Sequence, residues 1–482
     1  MLARDKLKLE LQRDEHGKTV LKFSSISPEE KSFSRFRLRW LSGGAVVLLG
    51  LAVLLWWSAT RESPLDREIN RRLAELRAAG EPVDAAGFAR LFPNPSPPED
   101  AGMLLTNILA FAEKNRLPAS TPVVISPTSL ARTEPFPQSA LLELRAYHEQ
   151  TKQIWNHWPE PWPRELGFAS HWKDGPFRSV VPDLVQFRTL AQQIAVLASY
   201  GAEENDPELA TQMLERGFRF TQTIQSDSLV YHMIKQASLG LMINASERCL
   251  NRIQFNEQQI GRLLKAMPVQ DTNQFLNALR AEKCSGIWVF QEVKSGKGLY
   301  NVLSQSSFAY HEPWWRSLWR KLFSRQKAYD DRDFVNYLAL YQSMLEARNL
   351  PPKEAMTHIV RAHEIYSSNA ISETGQSAAM RIKKSAPAGM EVEAAPDILR
   401  TALAIERFRL ARAGKIPAAL PELVPDFLPA VPRDLFDGQP LRFKTLARGY
   451  VVYSIGADGV DDGGLEKTNN AAKYDVTITV ER

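Results

Sequence analysis

The sequence predicts a mainly α-helical protein with a single N-terminal transmembrane helix, a helical-hairpin array outside the membrane, and a small C-terminal α+β module carrying a short antiparallel sheet. Three observations predict it. Residues 40–57, WLSGGAVVLLGLAVLLWW, contain no charge. From residue 183 onward, apolar side chains recur at the spacing of one helix face. Beyond residue 440, three short runs of strand character are separated by glycine-rich turns. These features divide the chain into a cytoplasmic tail (1–39), the span (40–57), a loop-rich helical region (61–182), the array (183–371), a linker (372–395) and the C-terminal module (396–482).

In the tail, Leu7, Leu9 and Leu11 alternate with polar residues, the chain turns at His16-Gly17, and Val20, Leu21 and Phe23 follow. That is a hairpin pattern; the competing reading is a frayed polar tail with local turn propensity. Because an isolated two-stranded hairpin is marginal in water, it invites a partner sheet or the membrane surface.

The span's 18 residues would extend ~27 Å as a helix, close to the roughly 30 Å hydrocarbon core of a bilayer. Trp40 at one end and Trp56 with Trp57 at the other suit the two interfaces. Lys31, Arg35, Arg37 and Arg39 crowd the near side, whereas Arg61, Glu62, Asp66, Arg67 and Glu68 nearly cancel on the far side. Basic flanks stay in the cytoplasm, so the N-terminus is expected inside and the bulk of the chain on the extracytoplasmic side of the inner membrane. Two other readings stand beside this one. A signal peptide cut near Ser58-Ala59-Thr60 would need an n-region of 39 residues, which is long; a buried core helix would not need the charge asymmetry.

At 482 residues and 44% apolar content, the chain can bury two or three cores. A net charge of +5, with cations spread among the acids, implies no nucleic-acid partner. The expected partners are the membrane and another protein. Cys249 and Cys284 fit either one disulfide in an oxidising compartment or two buried thiols.

Residues 64–79 read as a helix closed by Gly80. The prolines of 92–100 and 117–138 break the next region, leaving 101–114 as a short helix between them. In the array, Leu184, Phe187, Leu190, Ala191, Ile194 and Leu197 mark a first helix. Asp206 and Pro207 then open a second, as N-cap and first-turn proline. Leu229 to Cys249 supply a third, and Asn256 with Gln259, then Asp271 with Gln274, read as capping boxes opening two more. Residues 333–347 and 352–370 continue the pattern. Just before them, residues 309–327 set Trp315, Leu318, Trp319, Leu322 and Phe323 against Arg316, Arg320, Lys321 and Arg325. Such a segment suits a membrane interface or a core helix with snorkelling cations.

The last helix is expected over 397–414, capped by Asp397 and closed by Gly414. Strand-like runs follow at 441–445, 450–455 and 474–480. Before and between them stand VPRDLFDGQPLRF and VVYSIGADGVDDGG. This tail, over about residues 400–482, resembles the calcium-loop end of the type II secretion major pseudopilin and the ends of membrane-anchored helical proteins. The resemblance implies a bound calcium ion, with Asp458 and Asp475 as carboxylate ligands and an oxygen from Ser454. The residue types agree: calcium takes carboxylate and carbonyl oxygens on flexible turns, and Asp458, Asp461, Asp462 and Asp475 supply such oxygens. The competing reading is an acidic, glycine-rich turn that is only solvated.

No convergent catalytic set is legible. His358 and His363 lie five apart on a predicted helix, about 140° from each other. Gly375-Gln376-Ser377-Ala378-Ala379 falls one glycine short of a nucleophile elbow. His157, Trp155, Trp158, Trp162 and Trp172 suit either an aromatic pocket or packing under loops. The expected function is therefore a non-catalytic, single-pass envelope scaffold that binds a protein partner, with a calcium-pinned tail linked to secretion. The alternative is an envelope hydrolase or ligand sensor, which would show a deep cleft lined by His157 or His171 with carboxylates.

Overall fold

The computed structural model describes residues 7–13, 19–25, 62–90, 102–118, 130, 132–156, 158, 184–224, 228–269, 273–297, 299, 328–347, 350, 352–383, 386–466 and 474–482. The expected span, the segment 309–327, Asp271, His157, His171, Trp162 and Trp172 lie outside these residues. Among the described residues, no helix is long and apolar enough to cross a membrane. The chain forms two compact units, 1–67 and 68–482.

In the first unit, β1 (Leu7–Arg13) and β2 (Thr19–Ser25) form the expected hairpin, with Leu7 opposite Ser25 and Arg13 opposite Thr19. Ser63 Oγ accepts the Asp66 N–H at 3.0 Å, and the Asp66 carboxylate accepts the Ser63 N–H at 3.2 Å. This reciprocal cap opens α1 (Pro64–Ala78). Gly80, at φ +77°, closes it as expected: the Glu81 and Gly80 N–H groups return to the Leu76 and Arg77 carbonyls.

The second unit begins at Glu68 within α1, whose buried residues Ile69, Leu73 and Leu76 all belong to it, and continues through α2 (Ala85–Ala89), α3 (Gly102–Lys114), α4 (Gln138–Asn156), α5 (Leu184–Glu203), α6 (Pro207–Thr223), α7 (Leu229–Arg252), α8 (Glu257–Ala266), α9 (Asn273–Lys294), α10 (Asp331–Glu346), α11 (Pro352–Asn369), α12 (Glu373–Lys383) and α13 (Ala386–Ala411). Two of the caps read from sequence form. Asp206 accepts from Glu208 N at 3.1 Å and Leu209 N at 2.9 Å, while the Asn256/Gln259 box closes in both directions. A three-stranded antiparallel sheet ends the chain, in the order β3 (Arg442–Thr445), β4 (Tyr450–Ser454), β5 (Val476–Val480).

Two expectations are corrected. Residues 373–383 and 386–395 are α12 and the first part of α13, not a loose linker; their alanines, glutamates and methionines are strong helix formers. Asp397 is consequently an interior residue of α13, which tolerates Pro396 within it. The hydrophobic cores also cut across the expected partition. One core joins α3–α8 to α13 and the sheet, and a second joins α1 to α9, α10, α11 and α12. The C-terminal sheet is thus built into the helical core. Tyr450, fully buried on β4, donates its hydroxyl to the Ala402 carbonyl (3.1 Å) and Glu406 (2.9 Å) on α13.

The second core is held by buried charge as well as apolar area. Glu81 accepts from Lys283 at 3.0 Å and from Arg280 at 2.9 Å, tying the α1–α2 connection to α9. Asp333 on α10 accepts the N–H groups of Ile371 (3.2 Å) and Ser372 (2.7 Å) ahead of α12. A Cβ at Gly375 would stand 2.4 Å from the Asp333 carboxylate. The near-elbow motif therefore has a packing explanation: its glycine makes room for Asp333.

Candidate functional site

The candidate site is the C-terminal connection and the acidic loop beyond β4. Its centre is Asp434, 2% exposed. Oδ1 accepts the Phe436 N–H at 2.9 Å and the Ser454 hydroxyl at 2.8 Å. Oδ2 accepts the Ile455 N–H at 2.9 Å and Arg442 Nη1 at 2.6 Å. Gly438, at φ +72°, completes the turn by donating to the Asp434 carbonyl at 2.9 Å. Arg442 also bonds Asp437 (Nη1–Oδ1 3.2 Å) and lies 3.8 Å from Asp461. The Asp437 hydrogen bond, with the surrounding carboxylates, raises the guanidinium pKa.

The acidic residues of the loop mostly close their own turns. Asp458 is exposed and accepts the Val460 N–H at 3.0 Å; Asp461, also exposed, accepts the Gly463 N–H at 2.9 Å. Asp475 is buried and accepts the N–H groups of Gly464 (2.7 Å) and Asp462 (3.3 Å). Desolvation raises the Asp475 pKa, the charges of Asp461 and Asp462 add to it, and the two N–H groups oppose it. Asp462 Oδ2 is buried without a hydrogen-bond partner.

Of the five expected calcium ligands, the structure brings Asp462 and Asp475 together. Ser454 is engaged by Asp434 instead, and Asp458 closes its own exposed turn. Among the described residues, no group of three or more His, Cys, Asp or Glu is placed to hold a metal. The nearest approach to a cation site is the Asp462–Asp475 pair, in which the Asp462 N–H donates to Asp475 and Asp462 Oδ2 is buried without a partner. Backbone carbonyls or water would complete such a site.

Asp434 and Arg442 escaped sequence reasoning. The signal available was the Asp-Leu-Phe-Asp-Gly turn, which needs a buried acceptor for its own N–H groups.

Other aromatic and titratable side chains are packed or hydrogen-bonded within the helical body. Trp155 and Trp158 are buried in the first core, their rings 5.7 Å apart. Cys249 and Cys284 are free, and burial pushes both thiols up to about 12. His232 is buried, and desolvation lowers its pKa to about 4, so its ring stays neutral near pH 7. His358 Nε2 lies 2.7 Å from Ser343 Oγ across α10 and α11. No family model, curated protein or solved structure matches this chain.

Proposed function

We propose that this chain is a non-catalytic envelope scaffold. A single span over residues 40–57 anchors it in the inner membrane with the N-terminus inside, and its helical body presents a protein-binding surface on the extracytoplasmic side. The observation that carries the reading is how buried charge is used. Glu81 is closed by Arg280 and Lys283, Glu203 by Arg248 (2.7 Å) and Arg252 (3.1 Å), Glu406 by Arg409 and Arg482, and Asp434 by Arg442. The first three clusters join parts of the chain 45 to 202 residues apart, as a rigid scaffold requires, and the fourth closes the connection into β3. The apolar run and its basic flank support the anchor.

Protease added to spheroplasts tests the topology. We expect digestion of an epitope at the C-terminus and protection of one at residue 1. Protection of both, or release of the intact chain by carbonate washing, would overturn the anchored reading.

The tail reading is that calcium pins the acidic loop at Asp462 and Asp475, a resident ion with a structural role. A ligand bound only by the folded state stabilises it by about 2.7 kcal/mol at a hundredfold excess over its dissociation constant. Thermal unfolding in millimolar calcium is therefore expected to shift upward relative to chelator, and Asp475→Asn to lose the shift. An unchanged midpoint in the wild-type chain sinks the metal and leaves the scaffold reading intact.

A further inference from the structure

Among the described residues, the outer edge of β5 is not paired with a strand. Two side chains one turn apart on α7 take the strand's place: Glu247 Oε1 accepts the Thr479 N–H at 2.8 Å, and Asn251 both donates to the Thr479 carbonyl and accepts the Glu481 N–H, each at 2.7 Å. Edge strands need such covering. The cover is electrostatically lopsided. Around Glu247 stand Arg132 (Nε 3.8 Å), Glu466 and Glu481, and the same guanidinium also takes Glu466 and, at 3.3 Å, Glu481. Thr479 Oγ donates to Glu466 at 2.6 Å. The cations on Glu247's own helix, Arg248 and Arg252, are engaged by Glu203. One guanidinium therefore faces three carboxylates.

We propose that Arg132, Glu247, Glu466 and Glu481 form an acid-strengthened latch that holds β5, and with it the C-terminal sheet, against α7 and slackens as pH rises. When all three carboxyls are ionised, the cluster holds two uncompensated negative charges at a half-buried seam. Protonating one relieves this while leaving a carbonyl oxygen to accept the Thr479 N–H. Glu247 is the group that takes the proton. Desolvation pushes its carboxyl up to about 7, Glu466 and Glu481 push the same way, and Arg132 with the Thr479 N–H oppose.

The direction follows from that shift. The latched state holds a proton that a released glutamate gives up near its ordinary value of 4.5. The latch is therefore fully favoured below about 4.5, and the advantage is lost as pH rises through about 7.

Hydrogen exchange of the full chain tests this, with rates corrected for the intrinsic pH dependence of amide exchange. Between about pH 5.5 and about pH 8, we expect the protection of the Thr479 and Glu481 amides to fall at least about tenfold, one pKa unit being tenfold in an equilibrium constant. Glu247→Gln keeps an acceptor for Thr479 and should flatten that dependence. Glu481→Gln removes one neighbouring charge and should move the midpoint to lower pH, a displacement that a merely structural role would not produce. Flat protection in the wild-type chain, or an undiminished pH dependence in Glu247→Gln, overturns the latch.

Discussion

Asp434→Ala is expected to cost about 3–5 kcal/mol, the scale for removing one partner of a buried, hydrogen-bonded ion pair. The variant strands two backbone donors, Phe436 N–H and Ile455 N–H, together with the Ser454 hydroxyl and Arg442. Each buried donor left unsatisfied costs about 1–3 kcal/mol on its own. Asp434→Asn is the informative companion. It matches the shape but places an amide where at least one of these donors points, so it should recover only part of the loss. Denaturant midpoints at constant slope read the difference. A loss below about 1 kcal/mol in the alanine variant would show that water or a neighbouring carboxylate replaces Asp434.

Gly449→Ala should be nearly as damaging, by a different route. Gly449 sits at φ +88° in the turn joining β3 to β4, where its carbonyl accepts the Leu446 N–H at 2.9 Å. A left-handed conformation costs an ordinary residue about 1–2 kcal/mol. The added Cβ would also fall 1.7 Å from the Val480 carbonyl oxygen, a backbone atom that cannot rotate away. β5 must then shift at its last residue, and a total of about 3 kcal/mol follows from conformation and overpacking together. Gly438→Ala isolates the first contribution: its φ is +72°, and a Cβ there would meet nothing within 4 Å. It should therefore cost only about 1–2 kcal/mol. Equal losses at the two positions would refute the steric account.

Local chemistry made the helix starts readable. Asp206-Pro207 and Asn256 with Gln259 satisfy N–H groups within their own turn, so their meaning needs no tertiary context. The three C-terminal strands were readable for a similar reason, each being a short run between turn residues. α4 was harder. Its buried positions Ala140, Leu144, Tyr147, Thr151 and Trp155 form one narrow stripe on an otherwise polar helix, next to proline-rich sequence that favours loops. α13 hid its start behind Pro396 and a plausible cap at Asp397, and helix propensity together with burial of Ala394 and Ala395 overrode both. The site was least legible where its partners are distant. Ser454 and Asp434 are 20 residues apart, and Glu247 and Thr479 are 232 apart. No spacing rule connects such pairs.

The placement of β5 also bears on the protein's fate when it is damaged. β4, Tyr450–Ser454, has every residue buried and is shielded on its two edges by β3 and β5. Cleavage between Ser454 and Val476 followed by loss of the last strand would bare one of those edges. The uncovered sequence, YVVYSI, is rich in β-branched and aromatic residues and has neither charge nor proline. Such a segment templates intermolecular strand pairing. The last residues of the sheet therefore act as a guard against aggregation, and a clipped chain is expected to be lost to self-association before it is lost to unfolding.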